Sequence, residues 1–230
     1  MKRQAIDLED LQSDTTHTSQ SETFHHRIER LTSAITALRP TNVAWTLAVA
    51  ISGFAILGAL QRIYPTGPFG LWNLDAEGAP PTFFSATILY AAAGLAALTV
   101  MRGRLDRWVL AVAGLWAFLG VDDANAIHER LQRATGIDWQ YLYAPLALAG
   151  LVLFVALMRT TSGISRRLLL AGAAGWGISQ VLELVQHGRV EPVALYNWYM
   201  VPEEVLEMAG SACFLMAMLL ILHGGAEPEA

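Results

Sequence analysis

RWVLAVAGLWAFLGVDDANAIHE, residues 107–129, is the stretch whose reading decides the fold. From Val109 to Val121 it is apolar throughout, as a membrane helix requires. It then places Asp122, Asn125, His128 and Glu129 within two turns. A charged side chain in hydrocarbon is expensive, so acids in such a window point to a protein interior and mark a site. Two later apolar windows repeat the pattern. One carries Glu183 and His187, and the other carries Glu203, Glu204 and Glu207.

The rest of the chain agrees with a membrane setting. Of its 230 residues 54% are hydrophobic and only 15% charged, where a soluble domain carries nearer a quarter charged. Six windows are long enough to cross a bilayer: 43–63, 82–101, 107–129, 141–159, 167–187 and 202–222. Backbone groups in lipid must bond within their own segment, so these windows are expected to be helices. The expectation is an all-α, polytopic integral membrane bundle of six transmembrane helices. No period-two alternation suggests a barrel.

Four regions follow. Residues 1–21 are polar and read as a disordered cytoplasmic tail rather than a signal peptide. Residues 22–40 carry Phe24, Ile28, Leu31, Ile35 and Leu38 at helical steps, with Arg27, Arg30 and Arg39, and read as an amphipathic helix on the membrane surface. Pro40 ends it. Residues 41–223 form the six-helix domain, and 224–230 a short tail. Lys2, Arg3, Arg27, Arg30, Arg39, Arg102, Arg104, Arg107, Arg159, Arg166 and Arg167 fall on one side, against Arg62, Arg130, Arg133 and Arg189 on the other. The positive-inside rule then puts both termini in the cytoplasm of an inner-membrane, multi-pass protein. Trp139, Tyr141, Tyr143 and Trp198 gather at the opposite ends, where aromatic rings prefer the headgroup level. The basic residues track topology and give no sign of nucleic-acid binding. The single cysteine, Cys213, cannot form an intramolecular disulfide.

The polar residues are expected to converge. At about 1.5 Å rise per residue, Asp122, Glu183 and Glu207 each lie roughly 22–24 Å from the inner ends of their helices. Ala171, Gly175 and Ser179 form a stripe of small residues that continues to Glu183 and His187. Small residues let a neighbouring helix approach closely, so this pair should point inward. Asp123 points elsewhere at 100° per residue and is left outside the set. Glu203 and Glu204 follow Pro202 at an expected helix start, where capping competes with a functional role.

Clustered carboxylates must share protons, pair with cations or bind a metal. Carboxylates with two imidazoles suit Zn, Mn or Fe. His128, Glu183, His187, Glu203 and Glu207 are therefore the expected ligands of a divalent metal. Asp122 or Glu129 would serve as general base for a metal-activated water. A site near the outer leaflet suits an amphiphilic or lipid substrate, and hydrolase-like chemistry. A proton or divalent-cation transporter is the alternative, as is a non-catalytic subunit or sensor. The inner halves of segments five and six are apolar and offer no polar route across.

LGVDDANAIHERL, residues 119–131, resembles a pattern in uncharacterised bacterial six-helix membrane proteins. There an Asp-[Asp/Glu]-x4-His-Glu motif precedes a later acidic helix like the one bearing Glu203, Glu204 and Glu207. The resemblance implies a shared layout and no stated activity. Ceramidase-like membrane hydrolases are similar only in kind, since this chain lacks their His-x3-His pair and one helix.

Overall fold

The computed structural model describes residues 26–65, 68–74, 76, 78–187 and 193–224, with the backbone alone for residues 186, 187 and 193–197. The expected tail 1–21 lies outside the described residues, as do 225–230 and the first part of the expected surface helix. Residues 1–39 and 40–230 are two separate units. In the first, α1 covers the described residues 26–36. The Thr32 and Thr36 hydroxyls donate to the carbonyls of Ile28 and Thr32, at 2.8 and 2.9 Å.

The second unit holds seven α-helices among the described residues: α2 (Pro40–Ile63), α3 (Pro80–Met101), α4 (Val109–Asn125), α5 (Ile127–Thr135), α6 (Trp139–Thr160), α7 (Gly163–His187) and α8 (Val193–Leu222). Pro40 occupies the first turn of α2, where its missing N–H costs nothing. Pro80 does the same for α3. Five helices are long and apolar enough to cross a membrane, and α4 with α5 makes a sixth if the pair is one span broken by 70°.

That break corrects the expectation of one continuous helix over 107–129. Ala126 has φ 50° and ψ 46°, the left-handed region, and among the described residues it is the one non-glycine with positive φ. The conformation costs an L-residue roughly 1–2 kcal/mol. The sixth window departs too. Its helix begins at Val193, so Pro202 lies inside α8 rather than at its start. Glu203 and Glu204 therefore stand more than two turns into a helix, and the capping account of them does not apply.

α8 is the post of the bundle, packing on α7, α3 and α2, while α3 also packs on α4. α6 meets only α4 and α5 to any extent. α7 and α8 touch backbone to backbone because Gly172, Gly175 and Gly210 face each other. A Cβ on Gly175 would stand 2.9 Å from the Leu206 carbonyl oxygen, and one on Gly210 would stand 2.8 Å from that of Gly172. At one end of the bundle Leu74, from the 64–79 connection, joins Met200 and Met208 in a core backed by Ile51, Phe54, Phe84 and Val205. Leu74 sits where a side chain on Gly58 would otherwise be, 2.5 Å from its Cβ position. The Arg62 guanidinium bonds Asn73 Oδ1 at 3.2 Å and reaches the Met200 sulfur, so the same connection is tied to α8. Outward-facing positions stay apolar: Trp45, Val49 and Ile56 on α2, and Leu148, Val152 and Val155 on α6, are exposed.

Candidate functional site

Asp122 organises the site from the last turn of α4. Its Oδ1 accepts the backbone N–H of His128 at 2.9 Å, so it caps α5 across the break. Ala126, the residue at the capping position, has no side chain able to do this. Oδ2 lies 3.1 Å from His128 Nδ1. Oδ1 also accepts the Tyr143 hydroxyl of α6 at 2.8 Å. As a carboxylate Asp122 can only accept, so the network puts a proton on His128 Nδ1, and the neutral ring carries its basic lone pair on Nε2. Asp122 is 7% exposed and fully committed to donors.

α6 supplies the aromatic wall. Asp138 caps it, accepting the Gln140 N–H at 3.0 Å. Trp139 then lies against the His128 ring, centroids 5.0 Å apart, and its indole N–H donates to Glu183 Oε1 on α7 at 2.8 Å. Tyr143, one turn on, meets Trp139 edge to face at 5.5 Å. The same face continues through Ala147, Gly150 and Phe154.

The close α7–α8 approach builds the opposite wall. It brings the Ser179 hydroxyl within 3.1 Å of Glu207 Oε1, and Gln180 Nε2 donates to the same oxygen at 3.1 Å. Ser179 also reaches the Trp176 carbonyl at 2.8 Å, so its single proton serves one acceptor at a time. One turn deeper the Trp176 indole N–H donates to Ser211 Oγ at 3.1 Å. Asp123 and Glu183 lie near enough for their charges to act on Glu207. Ser85 of α3 hydrogen-bonds Asp123, whose buried Oδ2 has no partner among the described residues.

These walls enclose a cavity of about 730 Å³. Asp122, His128, Glu129, Glu183, Glu203 and Glu207 all line it. So do Asp123, which the straight-helix projection left out, and Glu204. The backbone of His187 ends α7, but its side chain lies outside the described residues. Glu129 sits at the rim, bonded to Arg133 at 2.9 Å. Toward the other end the lining is Leu115, Leu146, Gly150, Phe154, Ala173 and Phe214. Leu151 lines the cavity and is also 57% exposed, so the cavity opens beside α6.

Among the described residues no three His, Cys, Asp or Glu side chains come together as a metal ligand set. The Trp139 indole, in contact with both His128 and Glu183, stands between two of the expected ligands. The expected general bases are engaged as well, Asp122 by His128 and Tyr143 and Glu129 by Arg133. Sequence reasoning missed Trp139 and Tyr143 as site residues. Their signal was present: an i, i+4 pair on one helix face at the end where Asp122 and Glu183 were placed.

A family model described as a domain of unknown function (DUF8692) matches residues 43–222, and the chain belongs to that family. No curated protein and no solved structure matches the chain.

Proposed function

We propose that this family member is an integral membrane enzyme of hydrolase type. It takes an amphiphile from the lipid into the cavity and acts on its head group, with His128 as the acid–base residue. The carrying observation is the order of the cavity wall. Its polar end, with Asp122, His128 and Glu183, lies where α4 and α7 end and α6 begins, and its apolar end lies deeper along the same helices. A lipid of one leaflet has the same order, head at the helix ends and chain toward the middle.

The chemistry follows from the Asp122–His128 pair. Asp122 holds Nδ1–H at 3.1 Å and would stabilise the imidazolium formed when Nε2 takes a proton. A water deprotonated there adds to an ester or amide carbonyl, and the same proton passes to the leaving group. Tyr143 holds Asp122 in place, and Trp139 fixes the plane of the imidazole. No step is routed through a metal, because the described residues assemble no ligand set for one. The bias of Lys and Arg toward the other helix ends supports cytoplasmic termini, with the polar end of the cavity at the outer leaflet. Transport is less well supported: Leu115, Phe154 and Phe214 line the deep end of the cavity.

The test uses the full chain in nanodiscs with fluorogenic esters and amides bearing a twelve-carbon chain. Turnover that falls at least about a hundredfold in His128→Ala, with the fold intact by circular dichroism, supports the reading. Turnover equal in wild type and His128→Ala overturns the catalytic role.

A further inference from the structure

We propose that the cavity selects an amphiphile with an ammonium head group and one apolar chain. The inference rests on the amphiphile reading above and goes on to the chemistry of the head.

Charge decides against an anionic head. Seven carboxylates line the cavity. Among the described lining residues there is no lysine, and the one guanidinium is Arg133, at the exposed rim and bonded to Glu129. A phosphate or carboxylate head would meet like charge from α4, α5, α7 and α8.

Two of the carboxylates argue for a cation rather than a neutral hydroxyl head. Among the described residues the donors to Glu207 are neutral, Ser179 and Gln180, both on Oε1. Asp123 acts on Glu207 from α4, takes one neutral hydroxyl from Ser85, and keeps a buried Oδ2 with no hydrogen-bond partner among the described residues. A buried oxygen without a donor is costly, and carboxylates that act on one another must share a proton or pair with a cation. An ammonium supplies that cation, and its three donors suit the carboxylate oxygens that face the cavity. A bare metal ion fits less well, because the described residues supply no third ligand.

The apolar arm sets the chain. From Leu146 to Phe154 the α6 wall runs about 12 Å, at 1.5 Å per residue. Glycine at 150 lets Leu115 of α4 come within 3.1 Å of its Cβ position, so the cavity is narrow there. One chain fits such a bore, and the opening beside Leu151 lets the remainder lie in lipid.

The experiment compares dodecylamine, dodecanol and dodecanoate, which share a chain and differ in the head. The full-length protein is held in nanodiscs of zwitterionic lipid, and binding is read by tryptophan fluorescence and thermal shift. Dodecylamine is expected to half-saturate at a concentration at least tenfold below dodecanol, with no response to dodecanoate. In Asp123→Asn/Glu207→Gln in the same discs, the advantage of the amine over the alcohol should shrink to under threefold. If the double variant does not fold, Asp123→Asn alone carries the test, because Oδ2 has no hydrogen bond to lose. Equal binding of amine and alcohol, or an amine preference that survives Asp123→Asn, overturns the ammonium assignment and leaves the amphiphile reading standing. A site that binds none of the three overturns both.

Discussion

Gly210→Ala tests whether the glycine contact between α7 and α8 holds the acidic wall together. The new Cβ would lie 2.8 Å from the Gly172 carbonyl oxygen and 2.6 Å from Trp176 Cδ1. The carbonyl cannot rotate away, and the indole is fixed by its 3.1 Å bond to Ser211. An ordinary contact starts near 3.4 Å, so the helices must part by about 0.6 Å. The same displacement stretches the Ser179–Glu207 bond from 3.1 Å to about 3.7 Å, beyond hydrogen-bond reach. Overpacking costs typically about 1–3 kcal/mol, and a lost hydrogen bond about 1 more. Gly177, on the partner helix α7, is the control, since nothing lies within 4 Å of its Cβ position. Alanine there should gain up to about 1 kcal/mol from helix propensity. Denaturant unfolding of the full chain in one detergent should therefore move the two variants in opposite directions, about 2–4 kcal/mol apart or more. Equal stability of Gly210→Ala and Gly177→Ala would refute the close-contact argument.

Asp122→Asn keeps an acceptor for the His128 N–H and Tyr143 hydroxyl, but presents a donor to His128 Nδ1. Turnover of the fluorogenic panel should drop about a hundredfold or more with stability within about 1 kcal/mol of wild type, and unchanged turnover would count against the dyad. Ala126→Gly removes the penalty of the left-handed residue and should raise stability by up to about 1 kcal/mol; a lower melting temperature would show that Ala126 is not strained. Trp139→Phe deletes the indole bond to Glu183 and should speed amide hydrogen exchange along α6, with no change there refuting its role as the tie. Protein purified without chelator should hold well under one equivalent of Zn, Mn or Fe; a full equivalent that is lost in Glu183→Ala/His187→Ala would support the ligand assignment instead.

The helices were legible because each apolar window is long and its polar punctuation is sharp. The third window was misread at one residue. Ala126 is among the best helix formers, so nothing in its own chemistry signals a break. The break is held by Asp122, whose carboxylate takes the His128 N–H six residues on, and that bond is visible only once the chain has turned. Pro202 misled in the opposite sense. Proline favours a first turn, yet here the helix extends nine residues before it. The acids of the site were legible because they interrupt apolar windows. Trp139 and Tyr143 were not, because an aromatic at a helix end is the ordinary mark of an interface. Asp123 was lost for a geometric reason. Asp122 reaches α6 through Tyr143, whereas Asp123 faces α3 and α8 through Ser85 and Glu207. Adjacent positions point to different helices, and a cavity lined by six helices has walls in both directions.

The packing explains how such a cavity can fill. α8 is held by α7, α3 and α2, and it carries Glu203, Glu204 and Glu207 on the rigid side. α6 carries Trp139 and Tyr143 and has little helix packing beyond α4 and α5. Across the gap it is tied by Trp139 to Glu183, and to α4 by Tyr143 to Asp122. Two hydrogen bonds hold about 1–3 kcal/mol together, a small barrier to a helix swinging aside. The proposed head binds beside these ties, at Asp123 and Glu207, and the charge of Glu183 acts on Glu207. A cation held at Glu207 therefore also draws on Glu183, the acceptor of the Trp139 indole. In the proposed reading, recognition of the head and the hold on α6 are coupled through Glu183.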